Sequence, residues 1–501
     1  MEILYISTRN MQIKNFSDVK SIFFDNLSIR QTIFKNVFWL ALASGVSKFL
    51  KFILFVFAAR ILGATAYGKF TFALAFAGLF LFFADLGLSQ ITTREFAREK
   101  EREKEFSALL SLKILLSLGV LILVILGSFL VTPDPIIQKI IWILCIMLLA
   151  GSFSQIIFAF LNARQKMEYQ ALATIFETLV ATGVGLFVLF YFPSVQNLSY
   201  SYLFAALVVL IFLLIFFHFK IQPISLSWDK LIWQRFLKMS WPLALVGALA
   251  SIHNQIDSVM MGYLGQMTQT GWYNAAYRII AVSLVPLGLI STSFFPVLSK
   301  TFGESKEKLQ KVWNYYMEII IFLGAPLIIG GITLAPGIIN FVYDLSYTPS
   351  VLAFQILIIM AIIIFLYTPF SSLLVAAKLQ EKLFWAVLGG AIINVILNLI
   401  LIPKYSLYGA AFATVIAHSL IFFLLFKFIL KFTSVNPLNT RLLLSFVLAS
   451  LSSLLMYLVI IQPQIYHLHV LFSILIGAIV YFAAFLVLRQ IAGIFSFYEK
   501  K

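Results

Sequence analysis

The sequence predicts an all-α polytopic membrane protein with about 14 transmembrane helices, arranged as two pseudo-repeated six-helix bundles and two further helices. Of the 501 residues, 62% are hydrophobic and only 11% are charged, and the mean hydropathy is +1.00. Apolar stretches recur along the whole chain at the length of about 20 residues that a membrane-spanning helix needs. A backbone in hydrocarbon must satisfy its own hydrogen bonds, so each stretch is expected to be helical.

The apolar stretches define the expected spans and their grouping into domains. A cytoplasmic or interfacial segment, 1–33, comes first, followed by a six-helix bundle over 34–218. A cytoplasmic linker over 219–239 leads to a second six-helix bundle over 240–430, and 440–488 forms two additional helices. The predicted spans are 36–58, 66–87, 108–131, 137–160, 171–192, 200–218, 240–263, 273–298, 314–337, 350–374, 384–402, 406–428, 440–461 and 467–488.

Similar turns support an internal repeat. The turn after the first span contains Leu62-Gly63 and continues to Tyr67-Gly68. Six spans later, the corresponding turn contains Leu264-Gly265 and continues to Gly271-Trp272. Parallel six-helix repeats are a common transporter plan, in which the substrate site lies between the repeats.

The distribution of Lys and Arg predicts the orientation in the membrane. Loops after even-numbered spans are rich in basic residues, whereas the alternate gaps hold only Arg60, Lys69, Lys139 and Lys404. Because basic residues are retained on the cytoplasmic side, both termini are predicted to be cytoplasmic, in a multi-pass cell-membrane protein. The net charge of +16 is then explained by topology and by contact with anionic lipids, and no nucleic acid is expected as a partner.

The N-terminal segment allows two interpretations. Ser17 to Ile33 has the pattern of an amphipathic helix lying on the inner leaflet. Met11 is an equally plausible initiator to Met1. The single cysteine, Cys145, cannot form an internal disulfide.

The loops exclude several classes of enzyme. Gly63 to Lys69 matches a phosphate-loop spacing, but Phe70 follows where Ser or Thr is needed, and the segment is a turn between two spans. The sequence has no His/Cys spacing typical of a metal site and no long external loop that could carry paired carboxylates. We therefore expect neither a catalytic residue nor a metal site, and no enzyme.

Lysines inside the first span are the first candidate binding residues. Ser44, Ser47, Lys48 and Lys51 have the spacing of one helical face. Lys48 lies near mid-depth, where a charge is costly unless it faces a wet cavity or a partner. Lys48 and Lys51 are therefore either anion-attracting cavity residues or lysines paired with a carboxylate on a neighbouring helix.

A second set of candidates lies in the seventh and eighth spans. Asp257 and Arg278 are expected at the same depth, which makes an ion pair between two helices reasonable. The functional alternative is that Arg278 faces the cavity while Asp257 holds or gates it, or binds a coupling proton or Na⁺. Further gating or coupling candidates are Asn254, Glu177 in the fifth span, and His418, which is more often a hydrogen-bonded interhelical histidine.

Other polar residues have a structural interpretation. Asp85 is expected to lie against nearby arginines, and Lys113 and Glu318 to reach the inner interface by snorkelling. Asn394 and Asn398, one turn apart, are expected to hold helices together.

Several segments together resemble a known family. They are Ala59 to Gly68, Asp85-Leu86-Gly87 with Thr93-Arg94-Glu95, Ile256-Asp257, Tyr277-Arg278, and Asn394 through Pro403 into Gly409-Ala410-Ala411. In order and spacing they resemble the polysaccharide-type (Wzx-like) lipid-linked oligosaccharide flippases of the multidrug/oligosaccharidyl-lipid/polysaccharide (MOP) exporter superfamily. The resemblance covers roughly residues 30–490.

The resemblance implies a function and a set of site residues. The substrate would be a polyprenyl-phosphate- or pyrophosphate-linked glycan, moved from the cytoplasmic to the external leaflet by alternating access. The resemblance implies that basic residues bind the phosphate groups, here Lys48, Lys51, Arg278 and Arg60. Membrane lipids, and glycan polymerase or glycosyltransferase machinery, are the other expected partners; no cofactor is expected apart from a possible coupling Na⁺ or H⁺.

Two alternative functions would require different sequence features. A drug or organic-cation antiporter of the same superfamily would have about twelve spans and a less cationic cavity. A glycan polymerase or ligase would need a long external loop, which the sequence lacks.

Overall fold

The computed structural model describes residues 23–466 and 468–493, which form helices joined by short loops. No strand occurs within these two ranges, which confirms the predicted all-α class. The helices are α1 (Ile29–Asp85), α2 (Leu88–Arg98), α3 (Phe106–Val131), α4 (Pro135–Ala163), α5 (Met167–Tyr191), α6 (Val195–Lys220), α7 (Lys230–Tyr263), α8 (Met267–Ser283), α9 (Val285–Thr301), α10 (Lys306–Val342), α11 (Ser350–Ala376), α12 (Gln380–Phe432), α13 (Thr440–Ile460), α14 (Pro463–Tyr466) and α15 (Val470–Ile491).

Twelve helical stretches of the described chain are long and apolar enough to cross a membrane. The helix α1, with 57 residues, and the helix α12, with 53, are longer than one crossing requires. A straight helix of 57 residues would measure about 85 Å, against a hydrocarbon thickness of about 30 Å. Each is interrupted, α1 at Gly63 (φ 75°) and α12 at Ser406 (φ 53°). The count of fourteen crossings stays a prediction.

The interruption at Ser406 makes α12 a hairpin. The Asn394 side-chain amide donates to the Thr414 hydroxyl at 3.4 Å, although 20 residues of one straight helix would separate them by about 30 Å. Next to the turn, a Cβ atom at Gly409 would overlap the carbonyl of Leu401. The arms 380–405 and 407–432 therefore pack antiparallel, as the predicted spans 384–402 and 406–428 require.

The chain packs as two compact units. The first comprises the described residues up to 62 together with 73–255; the second comprises 63–72 and the described residues from 256 onward. This division places the boundary inside α7, whereas the predicted domains meet in the linker 219–239. The predicted domain ranges rest on the sequence alone and stay a prediction.

In the first unit, α1 and α5 run parallel along a seam. At one end Lys35 forms an ion pair with Glu168 at 2.9 Å. In the middle the hydroxyl of Thr178 donates to that of Ser47 at 3.1 Å, and at the other end the rings of Phe57 and Phe190 are 5.6 Å apart. Residue numbers rise together along the two helices, so the helices are parallel. The hydrogen bond between Ser47 and Thr178 shows that the polar side of α1 packs against α5.

The predicted linker is fastened to the first unit. Residues 222–229 are not helical, and the side chains of Ser225 and Ser107 are hydrogen-bonded at 2.8 Å. The Trp233 indole at the start of α7 donates to the carbonyl of Ala108 at 2.8 Å. The linker is thus held along the start of α3.

In the second unit, segment 63–72 packs reciprocally on the start of α8. The side chains of Thr65 and Thr268 are hydrogen-bonded at 2.7 Å, across a separation of 203 residues. A Cβ at Gly68 would overlap the carbonyl of Met267, and a Cβ at Gly271 would overlap that of Ala64. The same separation of 203 residues relates Gly68 to Gly271 and Ala64 to Met267. These contacts are here called the glycine clasp. Two repeated turns related by a two-fold axis would make the same reciprocal contacts.

The last two long helices, α13 and α15, pack on α10. The Tyr481 hydroxyl donates to the carbonyl of Phe322 at 2.7 Å, and Leu334, Met456 and Tyr481 share an apolar cluster. They correspond to the two additional helices predicted after the second bundle.

Most of the predicted N-terminal amphipathic helix, and both candidate initiators, lie outside the described residues. The described part includes Ser28, whose hydroxyl accepts from the backbone N–H of Gln31 and caps α1.

Candidate functional site

On the predicted polar face of α1, one residue is buried and the lysines are exposed. Ser47 is buried and accepts the hydrogen bond from Thr178 of α5. Lys48 and Lys51 are exposed. Because Ser47 anchors α1 to α5, the two lysines project beside a fixed seam, with their ammonium groups accessible to a ligand.

Glu177 lies beside this pair of lysines. It precedes Thr178 on α5, is half-buried, and lies within electrostatic reach of Lys51. Lys51 therefore has the carboxylate neighbour that the structural interpretation expected. Lys48, Lys51 and Glu177 thus lie on two helices joined at the Ser47–Thr178 hydrogen bond, with Glu177 close enough to Lys51 for the two charges to interact.

Arg60 and Arg278 lie elsewhere in the fold. Arg60 is exposed at the end of the first arm of α1, three residues before the interruption at Gly63. Arg278 is half-buried on α8, where its guanidinium interacts with the hydroxyls of Tyr67, Tyr277 and Tyr343. Tyr67 and Tyr343 were not selected from the sequence, because only the fold brings 67 and 343 to residue 278.

Asp257 is the centre of a buried polar cluster in the second unit. Its carboxylate is 6% exposed and accepts hydrogen bonds from Tyr273 at 2.6 Å, Asn398 at 2.6 Å and Thr414 at 2.7 Å. Asn398 also donates to the side-chain oxygen of Asn394 at 3.2 Å. These donors are neutral and come from α8 and both arms of α12. The Asp257 cluster therefore joins four helical segments, namely α7, α8 and the two arms of α12, and the expected role of Asn394 and Asn398 in holding helices together is confirmed.

The Asp257 cluster also contains the type of oxygen ligands that a small hard cation prefers. It combines one carboxylate with the oxygens of Thr414, Asn394 and Asn398, and within the described chain the side-chain oxygen of Asn398 is buried without a hydrogen-bond partner. Hard cations prefer such oxygen ligands. The described residues hold no group of three or more His, Cys, Asp or Glu side chains of the kind that binds a transition metal.

The two remaining coupling candidates have local contacts. The Asn254 side chain is exposed and donates to the carbonyl of Ala250 on its own helix at 2.8 Å. His418 is buried, with its Nδ1 3.0 Å from the hydroxyl of Tyr367 on α11. This is the interhelical hydrogen bond that the sequence favoured for His418.

Two ion pairs in the first unit differ from the sequence interpretation. Lys113 does not snorkel: its side chain is fully buried and pairs with Asp85 at 2.6 Å, so that the partner of Asp85 is a lysine rather than an arginine. Lys35 and Glu168 are also buried, at 0% and 3% exposure, and neither was selected as a buried charge. In the second unit, Glu318 pairs with Arg441. These pairings join distant segments, which spacing along the sequence does not reveal.

Comparison with known proteins decides the family. A family model described as polysaccharide biosynthesis protein matches residues 33–302, more than half of the chain. The chain belongs to this family. A Methanocaldococcus jannaschii relative, described as an uncharacterized membrane protein, is 24% identical over 408 residues, covering 77% of this chain and 95% of the relative. A probable flippase of Haloferax volcanii, AglR, is 26% identical over 172 residues, covering 34% of this chain and 36% of AglR.

Solved structures of membrane transporters, among them one described as a member of the MOP superfamily, show the same fold. The lipid II flippase MurJ, in an inward closed conformation, matches with a TM-score of 0.76 over 89% of this chain and 98% of MurJ, at 18% identity. An inward-facing multidrug resistance MATE transporter matches with a TM-score of 0.62 over 77% of this chain and 96% of the transporter, at 16% identity. This member of the polysaccharide biosynthesis family is therefore a multi-pass membrane protein with a MOP-superfamily fold, and the predicted resemblance is confirmed.

The second unit of this family member contains an apolar cavity of about 420 Å³. Its lining comes from α8, the start of α9, α10, α11, α13 and α15, and includes Ile279, Leu327, Phe354, Met456 and Phe482. The additional helices α13 and α15 thus supply part of its wall. An apolar lining suits hydrocarbon rather than sugar hydroxyls.

Proposed function

We propose that this protein is a flippase that moves a polyprenyl-phosphate- or pyrophosphate-linked oligosaccharide from the cytoplasmic to the external leaflet by alternating access. The observation that carries the proposal is the pair of exposed lysines, Lys48 and Lys51, on a helix long and apolar enough to cross a membrane. In a member of a polysaccharide biosynthesis family, such cations match the phosphates that link a glycan to its lipid.

Moving a glycan headgroup across the hydrocarbon of the membrane requires a polar, cationic site, for energetic reasons. Each sugar hydroxyl taken into hydrocarbon without a partner costs several kcal/mol, about 4–8 on the water-to-cyclohexane scale. A charged phosphate costs more, unless cations and hydrogen-bond donors replace its water. We assign the phosphate contacts to Lys48 and Lys51, with Glu177 balancing Lys51 when no ligand is bound. Arg60 and Arg278 stay phosphate-binding candidates on the family resemblance alone.

We further propose that the Asp257 cluster binds the coupling cation, Na⁺ or H⁺. An ionisable residue inside a membrane protein commonly marks an ion pathway. A bound Na⁺ would supply the positive charge that balances the carboxylate. Asp257, Thr414, Asn394 and Asn398 would hold it with their oxygens, and its departure or arrival would change how α7, α8 and α12 are joined.

The protein acts without covalent chemistry in this proposal. It would reside in the cell membrane with both termini in the cytoplasm, as the basic loops predict. Enzymes that build the lipid-linked glycan inside, or polymerise it outside, are the partners that the chemistry requires.

Binding measurements test the phosphate assignment. Purified wild-type protein is titrated with a short-chain polyprenyl-pyrophosphate disaccharide in detergent, alongside Lys48→Gln and Lys51→Gln. Lys139→Gln, another exposed lysine of the first unit, is the matched control. We expect each α1 variant to weaken binding at least tenfold, about 1.4 kcal/mol, and the control to bind as wild type. Wild-type affinity in both α1 variants would contradict the assignment.

A cation antiporter is the second candidate, favoured by the MATE-like fold and the buried Asp257. It predicts that tetraphenylphosphonium is expelled from proteoliposomes against an imposed Na⁺ or H⁺ gradient. The flippase proposal predicts no such efflux and no competition between this cation and the glycolipid.

A further inference from the structure

Three lysines converge at the open end of the α12 hairpin. The ammonium groups of Lys382 and Lys431 lie 5.5 and 5.4 Å from the ring centroid of Phe432. The ammonium group of Lys427, one turn before Lys431, lies 4.4 Å from the ring of Phe423. These residues are here called the lysine cluster.

The hairpin brings the lysine cluster together. Lys382 lies in the first turn of α12, whereas Lys427 and Lys431 lie in its last two turns. Antiparallel packing of the arms places these ends side by side, away from the turn at Ser406. The predicted topology assigns this end to the cytoplasmic leaflet.

No carboxylate within the described ranges forms an ion pair with the lysine cluster. Among the described residues, none of its three lysines takes part in an ion pair within 4.0 Å. The nearest acid along the chain, Glu381, accepts a hydrogen bond from the Trp385 indole at 3.4 Å. The cluster therefore carries a local positive charge at one membrane edge.

Apolar stripes extend from the lysine cluster along both arms. Trp385, Ile392, Ile396 and Leu399 are exposed on the first arm, at helical spacing. Phe412, Ile416 and Phe423 are exposed on the second, in line with Lys427. A cationic end above two apolar stripes matches a molecule with an anionic head and two hydrocarbon chains.

We propose that the lysine cluster is a binding site for an anionic phospholipid of the cytoplasmic leaflet. The lipid phosphate lies among the three ammonium groups, Phe432 holds Lys382 and Lys431 in place, and the chains follow the exposed stripes of α12. Charge-assisted contacts to phosphate oxygens give the preference over zwitterionic lipids. The site is separate from Lys48 and Lys51, and its test does not depend on transport.

Native mass spectrometry of the detergent-purified full chain tests the proposal, with phosphatidylglycerol and phosphatidylcholine as probes. The test variant is the triple change Lys382→Gln, Lys427→Gln and Lys431→Gln. The matched control is Lys300→Gln, Lys306→Gln and Lys311→Gln, which removes the same charge from exposed lysines of α9 and α10. A single variant, Phe432→Leu, keeps the charge and removes the ring.

We expect wild type and control to prefer phosphatidylglycerol, and the test variant to lose affinity by about fivefold for each lysine removed, since a basic residue at such a surface contributes about 1 kcal/mol. Phe432→Leu should lose part of that preference. Equal loss in the test and control variants would show only non-specific charge attraction and overturn the site.

A polyprenyl monophosphate is the competing ligand, because it offers the same phosphate with one chain. It is titrated against bound phosphatidylglycerol in the same spectra. The proposal predicts that phosphatidylglycerol is retained at equal concentration. Preferential displacement by polyprenyl phosphate, lost in the test variant, would make the cluster a substrate-capture site and contradict the phospholipid assignment.

Discussion

Two groups of lysines in the membrane-embedded helices differ in their surroundings. Lys35 with Glu168, and Lys113 with Asp85, form ion pairs in which the lysine is fully buried. Lys48 and Lys51 are exposed on α1, with Glu177 near Lys51. A buried charge needs its partner for the fold to be stable, whereas an exposed charge at membrane depth has a solvation cost that only a ligand, water or a function explains. On the proposed function, this difference separates the structural lysines, Lys35 and Lys113, from the substrate-binding ones, Lys48 and Lys51.

The buried pair gives a stability prediction. Lys35→Met leaves Glu168 buried and unpaired, so we expect a loss of about 3–5 kcal/mol in unfolding free energy. The double variant Lys35→Met with Glu168→Leu should recover most of that loss, because no unpaired charge remains. The thermal unfolding midpoint in detergent measures both. Lys104→Met, which breaks the exposed pair with Glu101, should leave the midpoint unchanged. Equal effects of Lys35→Met and Lys104→Met would contradict the distinction.

The Asp257 cluster gives a prediction about the coupling ion. Thr414→Val removes an oxygen but preserves the shape of the side chain, whereas Thr414→Ser keeps the oxygen. If Na⁺ is the coupling ion, Thr414→Val should raise the Na⁺ concentration needed for half-maximal transport about tenfold, and Thr414→Ser should stay near wild type. Asp257→Asn should abolish the Na⁺ dependence. Transport by wild type that is indifferent to Na⁺ but follows a pH gradient would identify the proton instead.

Glycines at close contacts determine how the helical elements join. In the glycine clasp, Gly68 and Gly271 each face the backbone of the opposite turn, where no side chain fits. Gly63 and Gly265, by contrast, have open space but positive φ of 75° and 74°, so they are required by the turn rather than by packing. The two turns are similar in sequence, and the structure shows that they pack on each other.

The close packing of the glycine clasp leads to a prediction about stability. Gly271→Ala must push the carbonyl of Ala64 away, and backbone cannot yield cheaply, so we expect a loss of at least about 2 kcal/mol. Gly183→Ala in α5 meets open space and should be neutral or slightly stabilising, because alanine favours helix. Thermal unfolding of the two variants compares them directly. A midpoint for Gly271→Ala as high as that for Gly183→Ala would mean that the clasp is not closely packed.

A cross-link tests whether the clasp must part during transport. The hydroxyls of Thr65 and Thr268 are 2.7 Å apart, so Thr65→Cys with Thr268→Cys should oxidise readily to a disulfide. The single native thiol, Cys145, is buried and is replaced by alanine in this background. If alternating access separates these turns, oxidation should stop transport and reduction should restore it. Ser107→Cys with Ser225→Cys, whose hydroxyls are 2.8 Å apart within the first unit, should transport in both states. Full transport activity of the oxidised Thr65→Cys, Thr268→Cys variant would show that these two turns do not separate during transport.

At the scale of the whole molecule, hydrophobic patterning was sufficient for the fold class. The apolar stretches, the turn at Gly63 and the hairpin at Ser406 are all visible in composition and turn residues. Partners of individual charges were not predictable, because Asp85 meets Lys113, and Arg278 meets Tyr67 and Tyr343, only through tertiary packing. Residue spacing predicts which residues share a helical face, but not which neighbouring helix that face meets.

Leaflet translocation in proteoliposomes tests the central claim most directly. The purified protein is reconstituted with a fluorescent short-chain polyprenyl-pyrophosphate oligosaccharide, and an impermeant quencher reports the fraction exposed outside. We predict protein-dependent flipping that is lost in Lys48→Ala and in Arg278→Ala, while Lys139→Ala, at matched reconstitution, flips as wild type. Absence of flipping by wild-type protein under every imposed Na⁺, proton and voltage gradient would contradict the flippase account. Wild-type flipping by both Lys48→Ala and Arg278→Ala would retain the activity but refute the proposed site.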